Sequence, residues 1–333
     1  MPCSKERGVS LDQALLTVTI DTEADNQWDR LETLSFRNTR NLGQLQKLFD
    51  ELGIRATYLT TYEVASDPES AAFLRELAAS GRAELGAHLH PWSNPPYARL
   101  VEDEYRHHPY PHDYPIEVFR AKMEMLGEIL RASIGVQPRS YRAGRWGFVL
   151  EHAAVLRDLG YLVDTSVTPG VSWEAYSGAP GGRGGLSFLG APRVPHRIGE
   201  SRLLEVPVSI EWSRDLPSKV TSAVERLPAR GWIARALRHG HILRPVWLRP
   251  YPRFDERELV RLVDRVHAAH RPVWNVMFHS SEAVAGTSSY SRDARSLEGF
   301  YRKLRGILER ALELGARPAT LSEAAQTLEA AGY

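Results

Sequence analysis

A three-part unit recurs along this chain: an amphipathic helix, a glycine, then a short apolar strand. Leu42, Leu45, Leu48, Phe49 and Leu52 keep helical spacing, Gly53 stops the helix, and residues 55–60 read as a strand. The next helix opens at Asp67-Pro68, an N-cap followed by proline in the first turn, and ends at Gly81 before a strand over 83–88. A third helix spans 116–134, with Gly135 and a strand over 139–142 after it. A fourth spans 148–159, with Gly160 and a strand over 161–166. Near the C-terminus a helix ending at Leu314 meets Gly315 and a short strand around Ala319. Further strands fit residues 15–21, 203–209 and 273–279.

Strands that alternate with helices of ten or more residues imply βαβ units and a parallel sheet. The expected fold is therefore α/β: a distorted parallel (β/α) barrel of about seven strands, with long loop insertions. An open doubly wound sheet is the runner-up on periodicity. No G-x-G-x-x-G follows the first strand, which lowers a dinucleotide-binding reading. Residues 167–200 are rich in glycine and proline, lack periodicity and read as a long loop over one barrel face. A second insertion, 216–251, carries helix-like stretches between prolines. Neither marks a domain boundary, so residues 1–333 are expected to form a single barrel domain.

Bulk properties exclude several classes. The 42 basic and 41 acidic residues leave a net charge of +1, so no strong field draws nucleic acid or anionic membrane. The basic run 226–244 reads as a solvated helix face. The single cysteine, Cys3, forms no intramolecular disulfide, so the chain does not depend on an oxidising compartment. Residues 1–8 lack the apolar core of a signal peptide, and no run reaches the roughly 18 apolar residues of a membrane span. A cytoplasmic location is the resulting expectation.

The chemistry stands at the strand ends. One strand ends in Asp21-Thr22-Glu23-Ala24-Asp25, another in His88-Leu89-His90-Pro91-Trp92. Others end in Tyr141-Arg142-Ala143-Gly144-Arg145-Trp146, in Asp164-Thr165-Ser166, and in Phe278-His279-Ser280. In parallel barrels the C-terminal strand ends converge on one face, where active sites sit. Carboxylates, histidines and an arginine from distant positions are thus expected to meet there. His88 and His90 lie two apart, so on a regular strand both face one side, which suits joint metal ligation. Each residue also has a plain structural reading: a turn cap for the acids, a satisfied core position for His279, a surface anchor for Arg142, core packing for Trp92 and Trp146.

Taken in order, the stretches 19–25, 84–92, 141–147, 164–166 and 277–280 resemble the polysaccharide-deacetylase family, also called the NodB-homology domain or carbohydrate esterase family 4. The detailed shape, with Asp-Thr-Glu, His-Leu-His-Pro-Trp and Phe-His-Ser-Ser-Glu, is similar to a bacterial subgroup linked to surface-polysaccharide synthesis. The resemblance implies a distorted barrel and a divalent metal, usually zinc. By position it makes Asp21 the catalytic base, Arg142 the arginine that orients it, His279 the general acid and Asp164 the carboxylate that tunes that histidine. The metal motif departs from the family pattern. Thr22 stands where the family has a second aspartate, leaving Glu23 or Asp25 as the substitute. Trp92 stands four residues after His88, where the family has its second histidine, leaving His90 to take over. Two histidines and one carboxylate suit zinc and other first-row metals.

The implied reaction is hydrolysis of an N- or O-acetyl group on a sugar or polysaccharide precursor. Tyr141, Trp92 and Trp146 are the expected sugar-facing aromatics. Two alternatives stay open: an amide hydrolase or deformylase on a related small substrate, and a catalytically silent carbohydrate-binding protein.

Overall fold

The computed structural model describes residues 11–27, 33–213 and 244–333. Its strands are β1 (Leu15–Thr22), β2 (Ala56–Thr60), β3 (Ala83–Leu89), β4 (Ser140–Ala143), β5 (Val163–Asp164), β6 (His196–Ile198), β7 (Leu203–Glu205), β8 (Ile210–Trp212), β9 (Pro245–Trp247), β10 (Val273–His279) and β11 (Arg317–Pro318). The helices are α1 (Gly43–Leu52), α2 (Tyr62–Ser66), α3 (Pro68–Ala79), α4 (Glu104–His107), α5 (Ile116–Ile129), α6 (Leu150–Asp158), α7 (Glu256–Ala268), α8 (Ala294–Glu313) and α9 (Leu321–Ala330).

Seven strands run parallel in the order β10-β1-β2-β3-β4-β5-β7, with β6 added antiparallel at the β7 edge and β11 beside the start of β1. The sheet curls until the chain leaving β7 bridges its two edges. Val206 N–H donates to the Asp164 carbonyl at 2.9 Å, Val208 N–H to Val167 at 3.1 Å, and Ser209 N–H to Asn275 on β10 at 3.1 Å. The result is a distorted (β/α) barrel closed across a narrow seam. Strands β8 and β9 form a separate antiparallel pair beside that seam.

Period-two alternation decides what each face receives. On β1, Leu16, Val18 and Ile20 join the apolar layer beneath the helices, while Thr17, Thr19 and Asp21 take the opposite face. On β10, Trp274, Val276 and Phe278 pack outward, and Asn275 and His279 point in. The interior is thus polar at mid-height: Thr19 Oγ donates to Asn275 Oδ1 at 3.0 Å, and Asn275 Nδ2 donates to Thr165 Oγ at 2.8 Å. Below it, α9 seals the opposite end. Leu321, Ala324, Ala325 and Leu328 pack against Leu15, Val163, Leu204 and Val273 near the strand starts.

Local signals placed most of these elements. Asp67 caps α3 by accepting from Ser70 N–H at 3.0 Å, with Pro68 in the first turn. Helix α1 ends on Gly53 at φ +65°, a left-handed conformation that costs other residues about 1–2 kcal/mol. The expected helix over 116–134 is α5 followed by one π-helical turn, Leu130–Ile134, stopped by Gly135. Residues 167–200 are largely irregular, with one bridge between Ser172 and Ser187 and β6 near the end. Most of the 216–251 insertion lies outside the described residues, as do residues 1–8 with Cys3 and nearly all of the basic run 226–244. No helix among the described residues is long and apolar enough to cross a membrane.

Candidate metal and catalytic site

Strand register sets the first contacts. Asp21 lies directly beside His279 across β1–β10, and His88 beside Arg142 across β3–β4. All four side chains point into the barrel mouth. Arg142 is fully buried and its Nη1 donates to Asp21 Oδ1 at 2.6 Å. Its other N–H groups reach the Thr165 carbonyl at 2.9 Å and Thr19 Oγ at 2.7 Å, so every direction of the fork is held. Burial alone pushes the Asp21 carboxyl up, but Arg142, then His88 and His279, outweigh it and hold Asp21 well below the usual carboxylate range. Asp21 is therefore ionised at neutral pH, with Oδ2 facing His279 Nε2 at 3.6 Å.

A group of donors lies next to this pair. Glu23, His88 and His90 are all buried and each offers one ligand atom to a common point. His88 and His90 face each other Nε2 to Nε2 at 3.1 Å, and Glu23 Oε2 is 3.8 and 3.4 Å from those two nitrogens. Three donors on one ion, bound at about 2.0–2.2 Å, sit at roughly these mutual separations. The donor chemistry fits as well. His88 Nδ1 lies 3.0 Å from the Arg142 carbonyl, which only accepts, so Nδ1 carries the proton and Nε2 presents its lone pair. Burial lowers the His88 pKa to about 3, helped by His90 and Arg142 and opposed by Asp21. Glu23 Oε1 is buried without a hydrogen-bond partner. Burial, then Asp21, Glu63 and Glu282, raise the Glu23 carboxyl well above its ordinary value. A carboxyl so crowded by other acids is stabilised as an anion by a nearby cation, and a divalent ion among these three residues would supply that charge.

Two further acids hold the histidines. Glu282 Oε1 accepts from the His279 backbone N–H at 2.9 Å and lies 3.0 Å from His279 Nδ1. Arg249 Nη2 reaches the same Oε1 at 2.5 Å and lies 3.0 Å from Nδ1. Burial pushes Glu282 up, but Arg249 and His279 bring it below its ordinary value, so it is ionised and favours a proton on Nδ1. On the other side, Glu63 of α2 faces His90 Nδ1 across 3.7 Å and accepts from Gln27 at 2.7 Å and Ser93 at 3.1 Å.

The mouth opens into a cavity of about 580 Å³ whose walls include Trp92, Trp146, Trp173, Trp247, Tyr251 and Tyr290. Trp92 stacks between His90, at 4.5 Å, and His108, at 4.9 Å. Trp146 stacks on Trp173 at 6.1 Å and meets Trp247 edge-on at 5.6 Å. Its backbone, with that of Arg145, is left-handed at φ +61° and +53°, two consecutive strained non-glycine residues.

Of the residues singled out in the sequence, Asp21, Glu23, His88, His90, Arg142 and His279 converge, and Trp92 and Trp146 line the cavity. Three do not join them. Asp25 spends both oxygens on its own loop, accepting from Ser35, Arg37 N–H and Asn38, and is no part of the donor group. Asp164 does not touch His279. It accepts from Ser166 at 2.6 Å and pairs with the Glu205 carboxyl, in the position beside Tyr141. Tyr141 is fully buried between Phe119 and Tyr161 rather than facing the cavity. Alternation explains the last two: Tyr141, Asp164 and Glu205 share the outward face of neighbouring strands, opposite to Arg142. Sequence reasoning missed Glu63, Arg249, Trp173, Trp247 and the role of Glu282. Only Glu282 carried a signal, its place three residues after His279 in the next turn.

No family model and no curated protein matches the chain. Its fold is similar to that of solved structures. One is a Mycobacterium smegmatis protein provisionally described as a polysaccharide deacetylase, with TM-score 0.54 and 18% identity over 97% of this chain and 93% of its own. Another is the 4-alpha-glucanotransferase of Thermococcus litoralis, with TM-score 0.54 and 12% identity over 95% of this chain and 40% of its own. At such identities the likeness is one of fold.

Proposed function

We propose that this chain is a metal-dependent hydrolase of the polysaccharide-deacetylase family, removing an acetyl group from an acylated sugar. One observation carries the reading: the donor group Glu23, His88 and His90 lies beside an ionised Asp21 and a carboxylate-held His279, at the mouth of an aromatic-walled cavity. The sequence motifs and the shared barrel support it. The reading takes all 333 residues as one catalytic domain.

Glu23, His88 and His90 would hold a divalent ion, which when bound would supply polarisation of the acyl carbonyl and acidification of the attacking water. The ion that fits two imidazoles and a carboxylate is zinc or a neighbouring first-row metal. Asp21 takes the proton of that water through Oδ2, the oxygen not committed to Arg142. Arg142 keeps Asp21 charged and fixed in direction. His279 Nε2, 3.6 Å from Asp21 Oδ2, is within reach of the same reacting centre and delivers a proton to the departing nitrogen or oxygen. Glu282, rather than Asp164, holds the proton on Nδ1 and stabilises the imidazolium form. Glu63 does for His90 what such outer carboxylates do for ligating histidines: it fixes the ring. Trp92 and Trp146 offer ring faces to the sugar.

Assay of acetate release from N- and O-acetylated sugars, with zinc, cobalt or manganese supplied, tests the reading. Asp21→Asn should lower turnover by about 10²–10⁴-fold, the usual contribution of a general base, while the circular dichroism spectrum stays unchanged. Near-normal turnover in that variant, or no acetate release by the wild type with any of the metals, refutes it.

A further inference from the structure

The charges around the cavity do not balance. Asp21 is paired with Arg142, and Glu282 with Arg249. Two other guanidinium groups line the cavity, Arg145 and Arg253. Neither has a carboxylate within ion-pair distance among the described residues. Arg145 is half-buried, and its Nη1 donates to the His108 carbonyl at 2.6 Å and the His107 carbonyl at 3.3 Å. Its guanidinium lies over the Tyr110 ring at 5.2 Å. Asp113 is the carboxylate it feels through space, but those oxygens accept from Tyr110 N–H at 2.9 Å and Arg183 N–H at 2.7 Å. Arg253 is exposed at the rim, braced over Tyr251 at 5.0 Å and Phe254 at 4.8 Å.

A half-buried guanidinium without a counter-charge is costly, and here it stands on strained backbone. Arg145 occupies φ +53° and Trp146 φ +61°, each costing about 1–3 kcal/mol. That conformation presents the cation and the indole to one cavity. Arginine fits carboxylate and phosphate oxygens through paired N–H groups, so the missing charge is of that chemistry.

We propose that the acylated sugar taken by this cavity carries an anionic group, a phosphate or a carboxylate, which Arg145 and Arg253 bind. The proposal rests on the sugar-deacetylase reading, and a binding test separates the two. Calorimetric titrations use the full chain with chelator present, so that no ion at Glu23 supplies the attraction. The probes are N-acetylglucosamine, its 1-phosphate, and the corresponding uronic acid. At least one anionic sugar should bind about tenfold tighter than the neutral one, the order of one charge-assisted hydrogen bond. Arg253→Gln, at an exposed position, and Arg145→Gln should each shrink that preference, and Arg145→Lys, which keeps the charge but not the paired N–H groups, should keep only part of it. Tighter binding of the phosphate alone, or of the uronic acid alone, identifies the group. Equal affinities for all three sugars, or a preference that survives in the Arg145→Gln, Arg253→Gln double variant, overturns the proposal. Acetate release judges the hydrolase reading independently.

Discussion

At the level of single residues, the site is governed by which side of a strand each group occupies. Asp21 and His279 were legible because both end apolar strands, and register places them side by side. Asp164 satisfied the same criterion yet points away, because the strand carrying Tyr141 and Arg142 alternates and Asp164 aligns with Tyr141. Glu282 fills the place beside His279 instead. Glu282→Gln should therefore lower kcat about tenfold or more, because the neutral amide no longer holds the His279 ring in its orientation. Asp164→Asn should leave kcat near the wild-type value. Steady-state rates of both variants check the pair, and equal losses contradict the exchange of roles. Glu63, Arg249 and the two missed tryptophans left no comparable trace, since nothing in their spacing brings loops from separate insertions together.

Elements were more legible than residues. The expected strand over 273–279 matches β10, and the Asp67-Pro68 start of α3 is a true cap. The sequence pattern did not reveal how tightly strands and loops approach. A side-chain carbon at Gly144 would meet the Leu89 carbonyl and come within 2.7 Å of His90 Cδ2. Gly144→Ala should thus displace His90 and weaken metal binding by about 10-fold or more, read by zinc competition titration, with little change in helix content. At α3, Asp67→Ala removes both the cap and the Arg40 contact and should cost about 1–2 kcal/mol in urea unfolding. The Arg40 hydrogen bond, with Ser70 helping and burial opposing, lowers the Asp67 pKa from 3.8 to about 2. A depressed folded-state value means the contribution is whole above pH 4 and is lost as pH falls towards 2. Wild type and variant should converge in stability across that window.

For the whole molecule, the barrel is a scaffold whose two ends do different work: the mouth gathers charge and the base is apolar. Burial, and then the neighbouring acids, raise the Glu23 carboxyl well above its ordinary value, so taking up a divalent ion should release a proton and tighten as pH rises. Bound at 100 times its dissociation constant, the ion adds about 2.7 kcal/mol to stability. Chelator should lower the melting temperature, and Glu23→Gln should abolish the difference between loaded and stripped protein in differential scanning calorimetry. At the base, α9 covers the strand starts, with Leu321, Ala324, Ala325 and Leu328 packed on Leu15, Val163, Leu204 and Val273. Those strands come from widely separated stretches, and one helix ties them together. Without that lid Leu15, Val163 and Val273 would face water, so the mouth becomes rigid only once residues 321–330 have docked.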